Sequence, residues 1–480
     1  MIFKRGKGKK RVYHKGAGIA LAVAISLSAA FLTGCGYSSF DEYLEILGIK
    51  DPGYDDATED ATTYVVTGED VVLSSSTEAS QEGLEAIVQA APDDKESGFD
   101  STIGSFYKKI TGTEDDGEAT YTREELGLTD EGIKKLKAEQ SGKFAYDRLT
   151  EIGKTLYVEI LAILQHQAKN VSISLVSDDA INVVFDYVLN DHPELFWVDG
   201  YKCTNHTVAG NLTKITFTGD YIYDEEGVKE RQAKINEYVN ECLANAPSSD
   251  DDYYVIKYIY EYIVEHTEYQ QNDPDDQNIC SVFIDGKSVC NGYAKATQYL
   301  LNKLGIECIF VTGTVATGDG TSARHAWNLV RSNDKYYYVD TTWGDASYHS
   351  AYGSSADMEK VPSVNYDYLC VTTKDLEETH TISDILRMPE CNSMDDNYYI
   401  REDEYFKTDD MTLVKDLFDR RTKDGSNNVT IKCATQEVYD SLVDKLITQN
   451  GVFDFLGDET GVVSYTVFRE SRKIIFWIDL

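Results

Sequence analysis

Cysteine is scarce in this chain: nine occur among 480 residues, and no two of them form a Cys-x-x-Cys pair. A small secreted domain held together by disulfides carries a much higher proportion of cysteine, and a structural zinc site needs Cys or His pairs at close spacing. Because neither pattern occurs, the composition argues against a disulfide framework. It also predicts no metal site and no cofactor.

Basic charge is also in short supply. The chain has 45 Lys and Arg residues against 83 Asp and Glu residues, which gives a formal net charge of −38. A strongly acidic surface repels phosphate backbones and anionic lipid headgroups. The sequence therefore predicts no nucleic-acid partner, and any contact with a membrane must come from another source than surface charge.

The one long apolar stretch that stands out lies near the N-terminus. Seven basic residues fall within the first fifteen, and the uncharged run Gly16–Leu32 follows, which is the profile of a signal peptide. The run ends at Leu32-Thr33-Gly34-Cys35, which resembles the lipobox of bacterial lipoproteins, so Cys35 would carry a lipid anchor. A transmembrane anchor or an ordinary signal peptide are the alternatives, although the run is short for a membrane span. All three place the rest of the chain outside the cytoplasm, and we predict the extracellular face of a bacterial membrane.

Changes in composition divide the chain into five segments. After the signal peptide, residues 1–35, the acidic and Ser/Thr-rich residues 36–140 have little that could form a core, which predicts a flexible stalk. Apolar residues at three- and four-residue steps indicate that order begins near Phe144. We predict an N-terminal α+β accessory domain, a central domain and a C-terminal α+β accessory domain with these bounds: 141–245, 246–390 and 391–480.

A cysteine at the start of a predicted helix is the first candidate for chemistry. Cys290 follows a loop rich in Asn, Asp and Gly and precedes a stretch in which Ala294, Thr297 and Leu301 recur at helical spacing. The unpaired N–H groups and the dipole of a helix N-terminus favour an anion, here a thiolate, and can also form part of an oxyanion hole. Ordinary buried thiols occur at helix starts too, so this pattern alone is weak.

A hairpin later in the chain supplies the candidate partners of this thiol. Residues 323–330 alternate as a strand, and a tip at Asn333-Asp334 would place Asp340 diagonal to His325 on the same face of the sheet. A carboxylate there can accept one imidazole N–H and turn the other nitrogen toward the thiol. Alone, each of the two residues is more commonly structural, but with Cys290 they fill all the roles of a thiol acyl-transfer site.

Three segments of the sequence resemble the motif blocks of the transglutaminase-like superfamily. They are Gly-Lys-Ser-Val-Cys-Asn-Gly-Tyr-Ala at 286–294, His-Ala-Trp-Asn at 325–328 and Tyr-Val-Asp-Thr-Thr-Trp at 338–343. The resemblance implies a papain-like α+β core, in which a helix bearing the cysteine packs on an antiparallel sheet bearing the histidine and the aspartate. It further implies a triad of Cys290 as nucleophile, His325 as base and Asp340 as the group that orients the base.

The chemistry implied by the resemblance is acyl transfer through a thioester. Resolution of the acyl-enzyme by water gives a cysteine peptidase or amidase, and resolution by a lysine amine gives a crosslinking transglutaminase. We predict hydrolysis of a protein or peptide substrate, which could be associated with the cell wall, and keep crosslinking as the alternative. The hypothesis from a different class is a non-catalytic surface binding protein or cell-wall scaffold, against which the complete triad argues.

Overall fold

The computed structural model describes residues 2–4, 108–109, 118–208, 211–270, 275–316, 322–345, 362–383, 385–456 and 462–477. The predicted signal peptide and stalk fall largely outside these ranges, and so does Cys35. In the described part no helix is both long enough and apolar enough to cross a membrane.

The N-terminal part of the described chain consists of helices against a small sheet. The helices are α1 (Asp130–Gln140), α2 (Glu151–Gln165), α3 (Asp178–Asp191) and α4 (Glu225–Asn245). The strands are β1 (Val171–Ile173), β2 (Val198–Val208) and β3 (Asn211–Tyr221), in the order β2-β3-β1, with Lys108–Lys109 beside β2. Side chains of Thr129, Thr150, Ser177 and Asp224 accept N–H bonds at the four helix starts, as good N-caps do.

Order begins earlier than the sequence pattern indicated. Leu126 and Leu128 are buried in the same hydrophobic cluster as α2 and α3, and α1 follows them directly. Residues 118–140 therefore pack onto the folded part and do not extend the stalk, because these two leucines remove apolar surface from water. In α2 the predicted stripe is buried as expected, except for Ile152, which is 53% exposed.

The central part carries two more helices and the largest share of the candidate site. Helix α5 spans Asp252–His266 and α6 spans Cys290–Lys303. The five strands are β4 (Cys308–Ala316), β5 (Ser322–Ser332), β6 (Lys335–Val339), β7 (Leu369–Val371) and β8 (His380–Ile382). They form one antiparallel sheet in the order β7-β6-β5-β4-β8.

This central sheet is covered on both faces. Trp327, Leu329 and Tyr338 join the cluster that contains α2 and α3, whereas Val330 and Tyr337 join the cluster that contains α5 and α6. The alternation follows from the two-residue period of a strand. The helix with the cysteine thus packs on an antiparallel sheet, which confirms the predicted α+β fold class with its papain-like transglutaminase core.

The C-terminal part has a separate core. Helices α7 (Met411–Lys423) and α8 (Gln436–Val443) pack against strands β9 (Tyr405–Phe406), β10 (Asn428–Cys433), β11 (Val462–Phe468) and β12 (Lys473–Trp477). The sheet order is β11-β12-β10-β9, and Ile2–Lys4 pairs with β11 at its edge. The residues that form this core lie between 406 and 476. The exact domain boundaries remain a prediction.

A partly buried carboxylate, that of Asp367, joins this C-terminal sheet to the central part. Asp367 lies in the 3-10 turn Tyr366–Tyr368 just before β7, and it accepts hydrogen bonds from Lys432 Nζ of β10, at 2.8 Å, and from Lys473 Nζ of β12. Lys473 is itself buried and also donates to Asn365 Oδ1, at 3.1 Å. Although burial alone would raise the pKa of Asp367, the two lysines hold it well below its usual range.

Candidate active site

Cys290 is the first residue of α6, as predicted, and the loop before it is fixed by two serines. The hydroxyls of Ser281 and Ser288 lie 2.6 Å apart and are buried against the start of the helix. A Cβ on Gly292 would come within 1.9 Å of Ser288 Oγ, so only glycine fits at this position. The Cys-Asn-Gly sequence thus lets the loop approach the helix closely and places Cys290 in its first turn, where the backbone N–H groups have no acceptor within the helix.

The thiol sits in a small apolar environment with a polar flank. Cys290 is 7% exposed and clusters with Ala294, Phe310 and Ala326. On the next turn of α6, Lys295 donates to the Gln277 carbonyl oxygen, and burial lowers the pKa of Lys295 to about 8.

His325 and Asp340 come together as the hairpin predicted. The tip is at Asn333 and Asp334, both with the positive φ of a type I′ turn, and Tyr336 pairs with Arg331. Asp340 follows β6 directly, and its Oδ2 lies 2.7 Å from Nε2 of His325. Both side chains are almost completely buried, so this hydrogen bond lies in a low-dielectric environment where it is strong.

The electrostatics of the pair favour a charged imidazole. Burial by itself would lower the pKa of His325, but the Asp340 carboxylate and the Cys290 side chain outweigh it and raise that pKa to about 10. Burial likewise works against the Asp340 anion, but His325 and His380 keep the pKa of Asp340 below its usual range. The raised pKa of His325 therefore favours an imidazolium that is paired with the Asp340 carboxylate.

His380 is the residue of the site that sequence reasoning missed. It begins β8 at the far edge of the central sheet, and its Nε2 lies 3.1 Å from the same Oδ2 of Asp340. Its Nδ1 lies 2.8 Å from Thr379 Oγ1. The sequence carried little information that could have identified His380. Strand β8 has only three residues, and it reaches the site through its pairing with β4.

Two tryptophans surround these imidazoles. Trp327 is fully buried, with its ring centre 5.9 Å from that of His325 and 4.9 Å from that of His380. Trp343 is only partly buried and lies 6.0 Å from His325 and 4.8 Å from His380, measured between ring centres. Trp327 therefore belongs to the core, whereas Trp343 contacts both imidazoles and keeps part of its surface exposed.

His325, Asp340 and His380 each offer one atom that could bind a metal ion, and these three atoms lie within 4.8 Å of one another. In the described part of the chain they form the group that could hold such an ion. The two imidazoles already point N–H groups at the carboxylate, at 2.7 Å and 3.1 Å. These are ordinary charge-assisted hydrogen-bond distances. A proton-sharing network therefore accounts for the cluster.

Beside His380 the surface opens into a cleft of about 540 Å³. Its lining includes Glu377, Glu378 and Thr379, together with Ser322 at the start of β5. Polar and acidic side chains therefore lie beside His380 at this surface.

Comparison with known proteins places this site in a family. The model of the transglutaminase-like superfamily matches residues 237–341, which include Cys290, His325 and Asp340. Kyphoscoliosis peptidase of Mus musculus is 30% identical over 122 residues, and that of Homo sapiens is 28% identical over 122 residues. Each match covers 23% of this chain and 18% of the relative, so the chain spans under a fifth of the length of these relatives.

Among solved structures, the chain is similar to a crystal structure of a TGase, at 17% sequence identity and a TM-score of 0.21. The match covers 29% of this chain and 44% of the other. The family match, the order of the three motif blocks and the observed sheet and helix agree. The match to the transglutaminase-like superfamily therefore lies in the domain that contains residues 237–341 and all three candidate residues.

Proposed function

We propose that this chain is a thiol enzyme that carries out acyl transfer through a thioester, and that it hydrolyses peptide or amide bonds. The observation that carries the proposal is the 2.7 Å hydrogen bond between Asp340 and His325, together with the position of Cys290 at the start of α6, where its side chain contributes to the raised pKa of His325. An imidazolium beside a thiol at a helix N-terminus is the arrangement that generates reactive thiolates.

The proposed reaction has two halves, formation of the thioester and its hydrolysis, and Cys290 and His325 act in both. His325 holds the proton of the thiol, and the Cys290 sulfur forms a bond to the carbonyl carbon of the substrate. The N–H groups at the start of α6 stabilise the oxyanion. The C–N bond then breaks, and the amine leaves with the proton from His325. In the second half His325 takes a proton from water, hydroxide attacks the thioester, and the acid product leaves as the proton returns to the sulfur.

Asp340 keeps the imidazole in a productive orientation throughout. Its carboxylate accepts the Nε2 proton of His325 at 2.7 Å, which leaves the other ring nitrogen for proton exchange with the thiol. The same carboxylate stabilises the imidazolium that exists while the sulfur is charged or acylated.

Location and substrate form part of the proposal. The basic start, the apolar run and Cys35 support a lipoprotein held at the outer face of a bacterial membrane, and the acidic composition favours protein or peptide substrates over nucleic acid. Substrates at the cell wall are within reach of such an enzyme. The peptidase named among the relatives supports hydrolysis, and crosslinking is the alternative outcome of the same chemistry.

Labelling with iodoacetamide tests the nucleophile. Mass spectrometry of the labelled protein at neutral pH should show Cys290 modified first among the cysteines, and modified at least about tenfold more slowly in His325→Ala. The matched control is His192→Gln, because His192 is also a buried histidine bonded to a carboxylate, that of Glu194 at 2.7 Å. Equal labelling of Cys290 in the wild type and in His325→Ala would favour the scaffold hypothesis.

Incubation with casein and a fluorescent primary amine separates the two enzymes. Hydrolysis predicts new peptide or carboxylate products without incorporation of the amine, whereas crosslinking predicts amine attached to glutamine side chains. Cys290→Ala should abolish either product. Incorporation of the amine as the main product would replace hydrolysis by the transglutaminase reaction.

A further inference from the structure

The carboxylate of Asp340 is shared between three donors. Oδ2 is bonded to Nε2 of both His325 and His380, at 2.7 Å and 3.1 Å, and Oδ1 accepts the backbone N–H of Trp343 at 3.0 Å. A carboxylate oxygen has two lone pairs in the carboxylate plane, so two imidazoles fill Oδ2. The contact with His380 is therefore as specific as the contact with His325.

The other ring nitrogen of His380, Nδ1, also has a hydrogen-bond partner. Because Asp340 is an anion, the His380 nitrogen that faces it carries the proton, and the Nδ1 atom lies 2.8 Å from the hydroxyl of Thr379, which is also 3.3 Å from the Leu376 carbonyl oxygen. The ring is 2% exposed and packs edge-on against Trp327. Its orientation is thus fixed on both nitrogens and on one face.

We propose that His380 is a positioning residue for the site, which donates its Nε2 proton to Asp340 and thereby holds that carboxylate in the plane from which it orients His325. The inference rests on the proposed function. A carboxylate bonded to a single imidazole can rotate about its Cβ–Cγ bond, whereas one bonded to two imidazoles and a backbone N–H cannot do so without loss of a buried hydrogen bond.

The charges around His380 suit this role. Burial lowers the pKa of His380 even though Asp340 opposes this, so that at neutral pH the ring donates a proton without bringing a second positive charge to the carboxylate. The other titratable groups that face it are His325 and Tyr368, whose ring centres lie 5.4 Å and 5.7 Å away. Glu377 and Glu378 line the cleft beside it. The positive charge of the network therefore stays on His325, next to the thiol.

The test compares His380→Phe with His380→Gln in the full chain. Phenylalanine fills the volume without a donor, whereas glutamine keeps an N–H donor. The measurement is the rate at which iodoacetamide alkylates Cys290, as a function of pH. In His380→Phe we expect the rate at about pH 6 to fall about tenfold, with the half-maximal pH about one unit higher, because a tenfold change corresponds to one pKa unit. His380→Gln should recover most of the loss, and His192→Gln should match the wild type.

A milder variant covers the case in which His380→Phe does not fold. Thr379→Val removes the hydroxyl behind the ring and leaves the imidazole in place, and we expect a shift of the profile in the same direction, with a loss of about threefold at pH 6. Wild-type pH profiles in folded His380→Phe, or in Thr379→Val when the former is unfolded, would overturn the inference alone. If the wild-type reactivity of Cys290 does not depend on His325 either, the proposed function fails as well.

Discussion

Two aspartates in this molecule, the buried Asp340 and the partly buried Asp367, have similar surroundings and differ in what they can do. Asp340 accepts hydrogen bonds from two imidazoles, and Asp367 accepts hydrogen bonds from two lysines. In both cases the partners lower the pKa of the carboxyl against the effect of burial. A perturbed pKa therefore does not by itself identify an active site here.

The difference lies in the partners. An imidazole can gain and release a proton near neutral pH, whereas a lysine paired with a carboxylate stays charged. Asp340 is bonded to His325, whose pKa the Cys290 side chain helps to raise. We infer that Asp340 serves chemistry and Asp367 serves stability, and the two can be separated by matched substitutions.

The largest expected effect is on reactivity. Asp340→Asn should lower the rate of substrate hydrolysis by about 10³- to 10⁴-fold, because the amide cannot stabilise the imidazolium and presents the wrong group to the ring. Asp367→Asn should change the rate of the folded protein by less than about threefold. Steady-state kinetics on casein, or alkylation of Cys290, checks both. A comparable loss of rate in the two variants would contradict the inference that Asp340 serves chemistry and Asp367 serves stability.

The second expected effect is on stability, and here Asp367→Asn should have a larger effect than Asp340→Asn. Asp367→Asn removes the carboxylate that pairs with Lys473, whose side chain is 2% exposed, and should lower the free energy of unfolding by about 3–5 kcal/mol. Asp340→Asn should cost only about 1–2 kcal/mol, because its imidazole partners can become neutral. Urea unfolding at neutral pH measures the two values. A larger loss for Asp340→Asn would contradict the assignment.

The two lysines around Asp367 should differ from each other. The Lys473 side chain is 2% exposed and that of Lys432 is 17% exposed. Lys473→Met should therefore destabilise the protein by about 3 kcal/mol and Lys432→Met by about 1 kcal/mol, since partial exposure weakens an ion pair. Thermal unfolding of the two methionine variants in parallel tests this order, and equal shifts would count against it.

The smallest effect is a dependence on pH. The pKa of Asp367 is lower in the folded chain than in the unfolded chain, so its contribution to stability is present above its ordinary pKa of about 4 and is lost as the pH falls below that value. The difference in unfolding free energy between wild type and Asp367→Asn should accordingly shrink by about 1 kcal/mol or more from pH 5 to pH 3. A constant difference over this range would show that the carboxyl is not paired as described.

Local patterns in the sequence were enough to predict the cysteine helix and the hairpin. Cys290 precedes residues at helical spacing, and the Asn333-Asp334 tip sets a register that places Asp340 and His325 on one face. In a hairpin the turn fixes the register, so short-range information suffices. This is why the central part of the candidate site could be anticipated.

Contacts between distant segments could not be predicted in the same way. His380 reaches Asp340 because β8 pairs with β4 at the opposite edge of the sheet from β7, and a three-residue strand carries almost no periodicity. Lys473 and Asp367 are 106 residues apart, and nothing in either local sequence refers to the other. Leu126 and Leu128 were overlooked because two apolar residues in an acidic stretch resemble no amphipathic pattern.

The link at Asp367 has a consequence for how the molecule is made. The backbone N–H of Asp340 bonds to the carbonyl of Tyr368, and the N–H of Asn365 bonds to the carbonyl of Gly344, so the segment that Lys473 holds also supports the loop of Asp340. At a synthesis rate of about 5–20 residues per second, Lys473 emerges about 5–20 s after Asp367. In a newborn chain the turn at Asp367 therefore lacks its contact with Lys473 until the C-terminal sheet has been synthesised.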